Sequence, residues 1–149
     1  MSLTEILRKE AVILRLEADD RFQAIRLMIQ HLVDIGLLDE KMQNKVENEV
    51  IEREKILGTG LENGVAVPHA LIEGIQEELG VFARCVRPID FSFKDEIKSD
   101  LIFLLIVPLE PVIPHVRRLS QIVKILYKEE VRKRIRAATT IDEIYEVFT

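Results

Sequence analysis

The run Leu101-Ile102-Phe103-Leu104-Leu105-Ile106-Val107, closed by Pro108, is apolar at every position, with no alternation of polar and apolar residues. A strand wetted on one face alternates. A strand covered on both faces does not, and such strands lie in the middle of sheets layered with helices. The run therefore predicts a central strand. Even when extended to Leu109, it falls far below the roughly 20 residues that span a bilayer.

The flanks are consistent with that strand. Val81 to Val86 reads as a neighbouring strand, and Val65-Ala66-Val67 as a shorter one that follows a stretch holding Gly58, Gly60 and Gly64. On the N-terminal side, Asp20 to Ile35 reads as a helix. Phe22, Ile25, Ile29 and Leu32 fall at helical spacing, Asp19 or Asp20 can cap the start, and Gly36 can end it. Asp39 opens a second helix that carries Met42, Val46 and Val50 to about Lys55.

After Pro114, the residues Val116, Leu119, Val123 and Leu126 form one stripe, and Glu129 to Ala138 forms a charged helix. Thr140 with Glu143 makes a capping box for a last helix that buries Ile144, Val147 and Phe148. Helices at both ends and short strands between them predict an α/β fold: a single domain over residues 1–149, with a mixed β-sheet flanked by helices.

Composition narrows the function classes. The chain has 149 residues, 48% apolar and 32% charged, with 21 Lys and Arg against 26 Asp and Glu for a formal net charge of −5. That sign opposes a nucleic-acid binder, which needs a basic surface field. The single cysteine, Cys85, excludes an intrachain disulfide framework. Glu5 and Glu10 stand where a signal peptide would be basic and then apolar. The expectation is a cytoplasmic protein with no direct membrane insertion. The three histidines have no local ligand spacing, and Gly58-Thr59-Gly60 lacks the Gly-Lys-Ser/Thr ending of a P-loop, so neither a metal nor a nucleotide cofactor is expected.

The chemistry concentrates on two Pro-His pairs. His69 follows Val65-Ala66-Val67-Pro68, which places an imidazole at the end of a strand, where α/β sheets hold ligands. His115 follows Pro114 at the start of a helix, beside backbone N–H groups with no partner in the helix. A helix start favours an adjacent anion and disfavours imidazolium. Arg53 lies seven residues after Val46, roughly 20° from it around an ideal helix, so it needs a partner or a route to solvent. Glu49 and Glu54 are the nearby carboxylates. A neutral imidazole nucleophile with an arginine and a second histidine to balance phosphoryl oxygens suits covalent phosphoryl carriage.

The other candidates read as structural. His31 belongs to a helix face, Cys85 to a strand, and the basic run Val131-Arg132-Lys133-Arg134-Ile135-Arg136 to a solvated helix face beside Glu129 and Glu130.

Glu52-Arg53-Glu54 followed by Thr59-Gly60-Leu61-Glu62-Asn63-Gly64-Val65-Ala66-Val67-Pro68-His69-Ala70 resembles the phosphohistidine signature of the EIIA proteins of the bacterial phosphoenolpyruvate-dependent sugar phosphotransferase system. The resemblance is to the fructose/mannitol type, which includes nitrogen-regulatory EIIA proteins, and it extends over the whole chain. It implies His69 as phosphoryl acceptor, His115 as the second active-site histidine and Arg53 as the matching arginine. The implied donor is HPr or a nitrogen-type paralogue. The implied acceptor is a cysteine of an EIIB domain on another chain in sugar uptake, or else the phosphorylation state of His69 controls a regulatory target protein. Docking of such partners is expected on a shallow, mainly apolar face around His69. Glu62 stands where many members have glycine.

Overall fold

The computed structural model describes residues 3–91, 97–110 and 115–149, the last segment without the side chain of residue 115. Its strands are β1 (Val12–Leu16), β2 (Val65–Ala66), β3 (His69–Ile72), β4 (Leu79–Ile89) and β5 (Ser99–Pro108). Its α-helices are α1 (Arg21–Asp34), α2 (Gln43–Ile56), α3 (His115–Leu126), α4 (Glu129–Ala137) and α5 (Ile141–Glu146).

The apolar run becomes β5, and all but one of its residues are buried. It pairs antiparallel with β4 on one side and parallel with β2 and β3 on the other, while β1 adds parallel to the far edge of β4. The sheet is thus mixed, with β5 inside it. Both β2 and β3 keep one register against β5. Val65 faces Leu101 and His69 faces Leu105, an offset of 36 in each case. The two segments are one edge strand interrupted at Val67-Pro68. Proline removes a ladder donor, which an edge tolerates, and the Pro68 carbonyl still accepts from the Leu105 N–H at 3.0 Å.

The helix signals act locally. The Asp20 carboxylate accepts from the Gln23 N–H at 2.8 Å, and the chain leaves α1 through Gly36 at φ +80°. Asp39 caps a short 3₁₀ turn, Glu40–Met42, that leads into α2. The Thr140 hydroxyl accepts from the Glu143 N–H at 3.2 Å at the start of α5. Phe148, just past α5, stacks at a tilt on Phe82 of β4 and edge-on against Phe103 of β5, with ring centroids 5.2 and 5.7 Å apart. This contact fixes the C-terminal helix to the sheet centre.

Two strands fall outside the sequence expectation. No local pattern in Val12–Leu16 predicts β1. The imidazole of His69 was placed at the end of a strand, whereas the strand resumes after Pro68 and His69 is the first residue of β3, recruited by the ladder that β5 offers.

Candidate active site around His69

The site lies where α2 packs beside β3. Glu49 and Arg53 of α2, His69, Ala70 and Leu71 of β3, and Val107 of β5 line a cavity of about 390 Å³. The apolar stripe of α2, Val46, Val50 and Ile51, is buried. That burial orients the helix so that Arg53, one turn beyond Val50, turns toward His69. Arg53 is half-buried, and its guanidinium makes no hydrogen bond or ion pair among the described residues. Among the described residues, no carboxylate makes an ion pair with this cation.

His69 is half-buried, and its Nδ1 lies 2.8 Å from the carbonyl oxygen of Val67. A carbonyl can only accept, so Nδ1 carries the proton and donates it. In the neutral ring Nε2 then bears the lone pair, the form required of a nitrogen nucleophile. Pro68 contributes to this arrangement. It restricts the preceding Val67 to extended backbone and so directs the carbonyl that holds the ring.

The loop from Thr59 to Gly64 is tied down at several points. The Gly60 N–H donates to the Phe91 carbonyl at 3.1 Å, Leu61 to Val65 at 2.7 Å, and Val67 to Thr59 at 3.2 Å. Asn63 takes a left-handed backbone at φ +64°, followed by Gly64 at φ +82°. A Cβ at Gly64 would fall 2.6 Å from Arg136 Nη2 and 2.7 Å from Asp100 Oδ1. Glycine is needed here on both counts. Glu62 is exposed, so its carboxylate lies on the solvent side of the loop.

Two residues that the sequence offers only as a carboxylate near Arg53 and as part of a solvated helix face hold the loop in this neighbourhood. Glu54 is 1% exposed and accepts from Thr59 twice, from the backbone N–H at 3.0 Å and from the hydroxyl at 2.5 Å. Its burial raises the carboxyl pKa, opposed by the Thr59 hydrogen bonds and by the positive charges of Arg21 and Arg53. The spacing Val46, Val50, Glu54 repeats every four residues and was the available signal. Arg136 of α4 donates to the Asn63 carbonyl at 2.8 Å and forms a forked pair with Asp100 at 2.8 and 3.0 Å.

The basic run is therefore only partly a solvated face. Arg136 clamps the loop, and Arg132, 8% exposed, donates to the Leu126 carbonyl at 3.1 Å. A larger cavity of about 500 Å³ lies between this helix and Asn63-Gly64. No histidine, cysteine, serine or threonine among the described residues lines it.

Of the three expected site residues, Arg53 and His69 line one cavity. His115 opens α3, as expected from Pro114, and its side chain lies outside the described residues. His31 is structural: its Nε2 lies 2.7 Å from the Glu10 carbonyl oxygen. Burial pushes the Cys85 thiol up to about 12, which leaves it unreactive in the strand. No group of three or more His, Cys, Asp or Glu side chains that could hold a metal occurs among the described residues. None of the described helices is long and apolar enough to cross a membrane.

Residues 5–149 match the family model described as phosphoenolpyruvate-dependent sugar phosphotransferase system, EIIA 2. A nitrogen regulatory protein of Bradyrhizobium diazoefficiens is 30% identical over 99% of this chain and 94% of its own length. Among solved structures, nitrogen regulatory protein IIA-Ntr of Neisseria meningitidis superposes with a TM-score of 0.87 at 26% identity, covering 99% of both chains. Enzyme IIA mannitol of Escherichia coli, solved in complex with phosphorylated enzyme IIB mannitol, has the same fold. Its TM-score is 0.77 at 21% identity, over 95% of this chain and 96% of that one.

Proposed function

Because the chain belongs to the EIIA 2 family of the phosphoenolpyruvate-dependent sugar phosphotransferase system, we propose that His69 is its phosphoryl-carrying residue, within one phosphocarrier domain spanning residues 1–149. The observation that carries this reading is the Val67 carbonyl on Nδ1 of His69, which reserves the Nε2 lone pair for attack on phosphorus. As the Nε2–P bond forms, the P–N bond of a phosphohistidine donor breaks and its electron pair returns to the donor ring. The proton stays on Nδ1 of His69, donated to the Val67 carbonyl, throughout. Arg53 faces the same cavity and balances the phosphoryl oxygens, and His115, at the start of α3, is their second partner. The transfer requires no metal or organic cofactor.

The donor is HPr or a nitrogen-type paralogue, and the acceptor a cysteine of an EIIB domain, all in the cytoplasm. Such partners must reach the same ring in turn, and the surroundings of His69 suit transient docking. Leu71 beside it, Leu109 (bonded to the end of β3), and Ile56 and Leu57 at the end of α2 are all exposed. A second reading, in which the phosphorylation state of His69 controls a regulatory target protein, is favoured by the near full-length similarity to proteins named nitrogen regulatory.

Incubation with phosphoenolpyruvate, enzyme I and each HPr paralogue tests the first step. Acid-labile label on the wild type and none on His69→Ala is the expected result; equal label on both would overturn the assignment. Onward passage of the label to EIIB then separates carriage from regulation.

A further inference from the structure

Glu54 neighbours Arg53 in sequence but is enclosed, and both hydrogen bonds to its carboxylate come from one residue. Its Oε2 takes the Thr59 N–H at 3.0 Å and its Oε1 takes the Thr59 hydroxyl at 2.5 Å. The Thr59 carbonyl in turn accepts the Val67 N–H at 3.2 Å, and the Val67 carbonyl accepts the Nδ1–H of His69 at 2.8 Å. The series leads without a break from a buried carboxylate on α2 to the ring at the site. Arg21 of α1, with its Nε 3.8 Å from Oε2, is the cation packed closest to it.

We propose that Glu54 is a positioning residue for His69, holding the ring as its Nδ1–H tautomer by fixing Thr59 and, through it, the Val67 peptide. The inference rests on His69 being the phosphoryl acceptor. Three physical points carry it. Burying a carboxylate costs free energy that a well-packed apolar side chain would avoid, so its retention calls for a structural consequence. The carboxylate takes both hydrogen bonds from the first residue of the signature loop, whereas a carboxylate near a helix end could have turned to solvent. Finally, a neutral imidazole not held at Nδ1 exchanges between two tautomers, and only one of them presents Nε2 as nucleophile. The Val67 carbonyl chooses between them, and Thr59 holds the same residue by its N–H.

The test uses the full chain labelled with ¹⁵N-histidine. Two-bond ¹H–¹⁵N correlation spectra of the unphosphorylated protein report which ring nitrogen of His69 bears the proton. The variants are Glu54→Gln, Thr59→Ala and Thr59→Ser. Wild type and Thr59→Ser should show Nδ1–H alone. Glu54→Gln and Thr59→Ala should show a tautomer mixture, with kcat for phosphoryl acceptance lowered about tenfold, in proportion to the fraction of rings left in the competent form, and KM for the donor unchanged. Thr59→Ala removes the hydroxyl and a methyl, and Thr59→Ser the methyl alone, so the pair isolates the hydroxyl even if Glu54→Gln does not fold. An unshifted spectrum in a folded variant would overturn the proposal, as would an unchanged kcat despite a shifted spectrum. If the wild type takes no label at His69, the acceptor reading fails. The spectra alone still decide whether Glu54 fixes the ring.

Discussion

The guanidinium of Arg136 donates to the carbonyl of Asn63, 73 positions earlier in the chain, at 2.8 Å. The same side chain forks onto Asp100 near the start of β5, so one residue of α4 ties the signature loop to the central strand. The contact falls where the loop backbone is left-handed at two successive residues, Asn63 and Gly64. Such a conformation persists only when its surroundings determine it.

Replacing Arg136 with Met should therefore destabilise the protein by about 1–2 kcal/mol, the loss of a forked charge pair and a carbonyl hydrogen bond at a partly exposed site. Gly64→Ala should cost more, about 2–3 kcal/mol. It adds a strained φ of +82° to a Cβ that displaces both Arg136 and Asp100. Urea denaturation of the two variants checks the order. Gly64→Ala proving as stable as wild type would mean that the clamp does not set the loop.

How far the sequence alone reaches depends on how local each signal is. Asp20, Thr140 and the apolar β5 run specify their elements through neighbours within four residues or through an unbroken composition, and they were read correctly. β1 has five residues with Arg15 among them, and β3 follows a proline. Each becomes a strand because an adjacent ladder recruits it, which no local pattern encodes. The same limit hid part of the site. Glu54 reads as a carboxylate near Arg53 and Arg136 as part of a solvated helix face, whereas their partners lie in a loop whose course only the fold determines. His69 and Arg53 stand out in the sequence because their chemistry has no apolar substitute, and the structure brings the two to one cavity.

Glu54 also gives a pH signature. Its carboxyl pKa is raised in the folded state, chiefly by burial. Between the usual carboxylate value and the raised one, the native state binds more protons than the unfolded state. The contribution of Glu54 to stability is therefore present at low pH and lost as pH rises through that interval. Glu54→Gln should remove this component. Denaturation of wild type and variant from pH 4 to 7 should give a stability difference that shifts in favour of the variant as pH rises. A difference constant with pH would mean the carboxyl is not raised.

Cys85 offers an independent check on the sheet. With its thiol pushed up to about 12 by burial, and by the Asp100 charge as a lesser cause, it holds roughly a thousandth of the thiolate of an ordinary cysteine at neutral pH. Iodoacetamide should leave the native protein unmodified at pH 8 over an interval that fully alkylates the urea-unfolded chain. Equal rates would place Cys85 outside the sheet core.

Arg53 allows the proposed chemistry to be separated from folding. Its guanidinium faces the His69 cavity and makes no hydrogen bond or ion pair with any described residue, and its charge is the smallest of the influences on the Glu54 carboxyl, so removing it withdraws little from the folded state. Arg53→Met and Arg53→Lys should each stay within about 0.5 kcal/mol of wild-type stability, as usual for a side chain with no specific partner. Phosphoryl acceptance should behave differently. A planar fork can meet two phosphoryl oxygens at once, whereas an ammonium on a flexible stem acts as a point charge. Arg53→Lys should lose about tenfold in acceptance rate and Arg53→Met about a hundredfold, each 1.4 kcal/mol of transition-state stabilisation being one factor of ten. Rapid-quench labelling with the phosphorylated donor, run beside urea denaturation, measures both quantities on the same preparations. Wild-type rates in both variants would make Arg53 a bystander. Rates that fall only in step with stability would make it a structural residue.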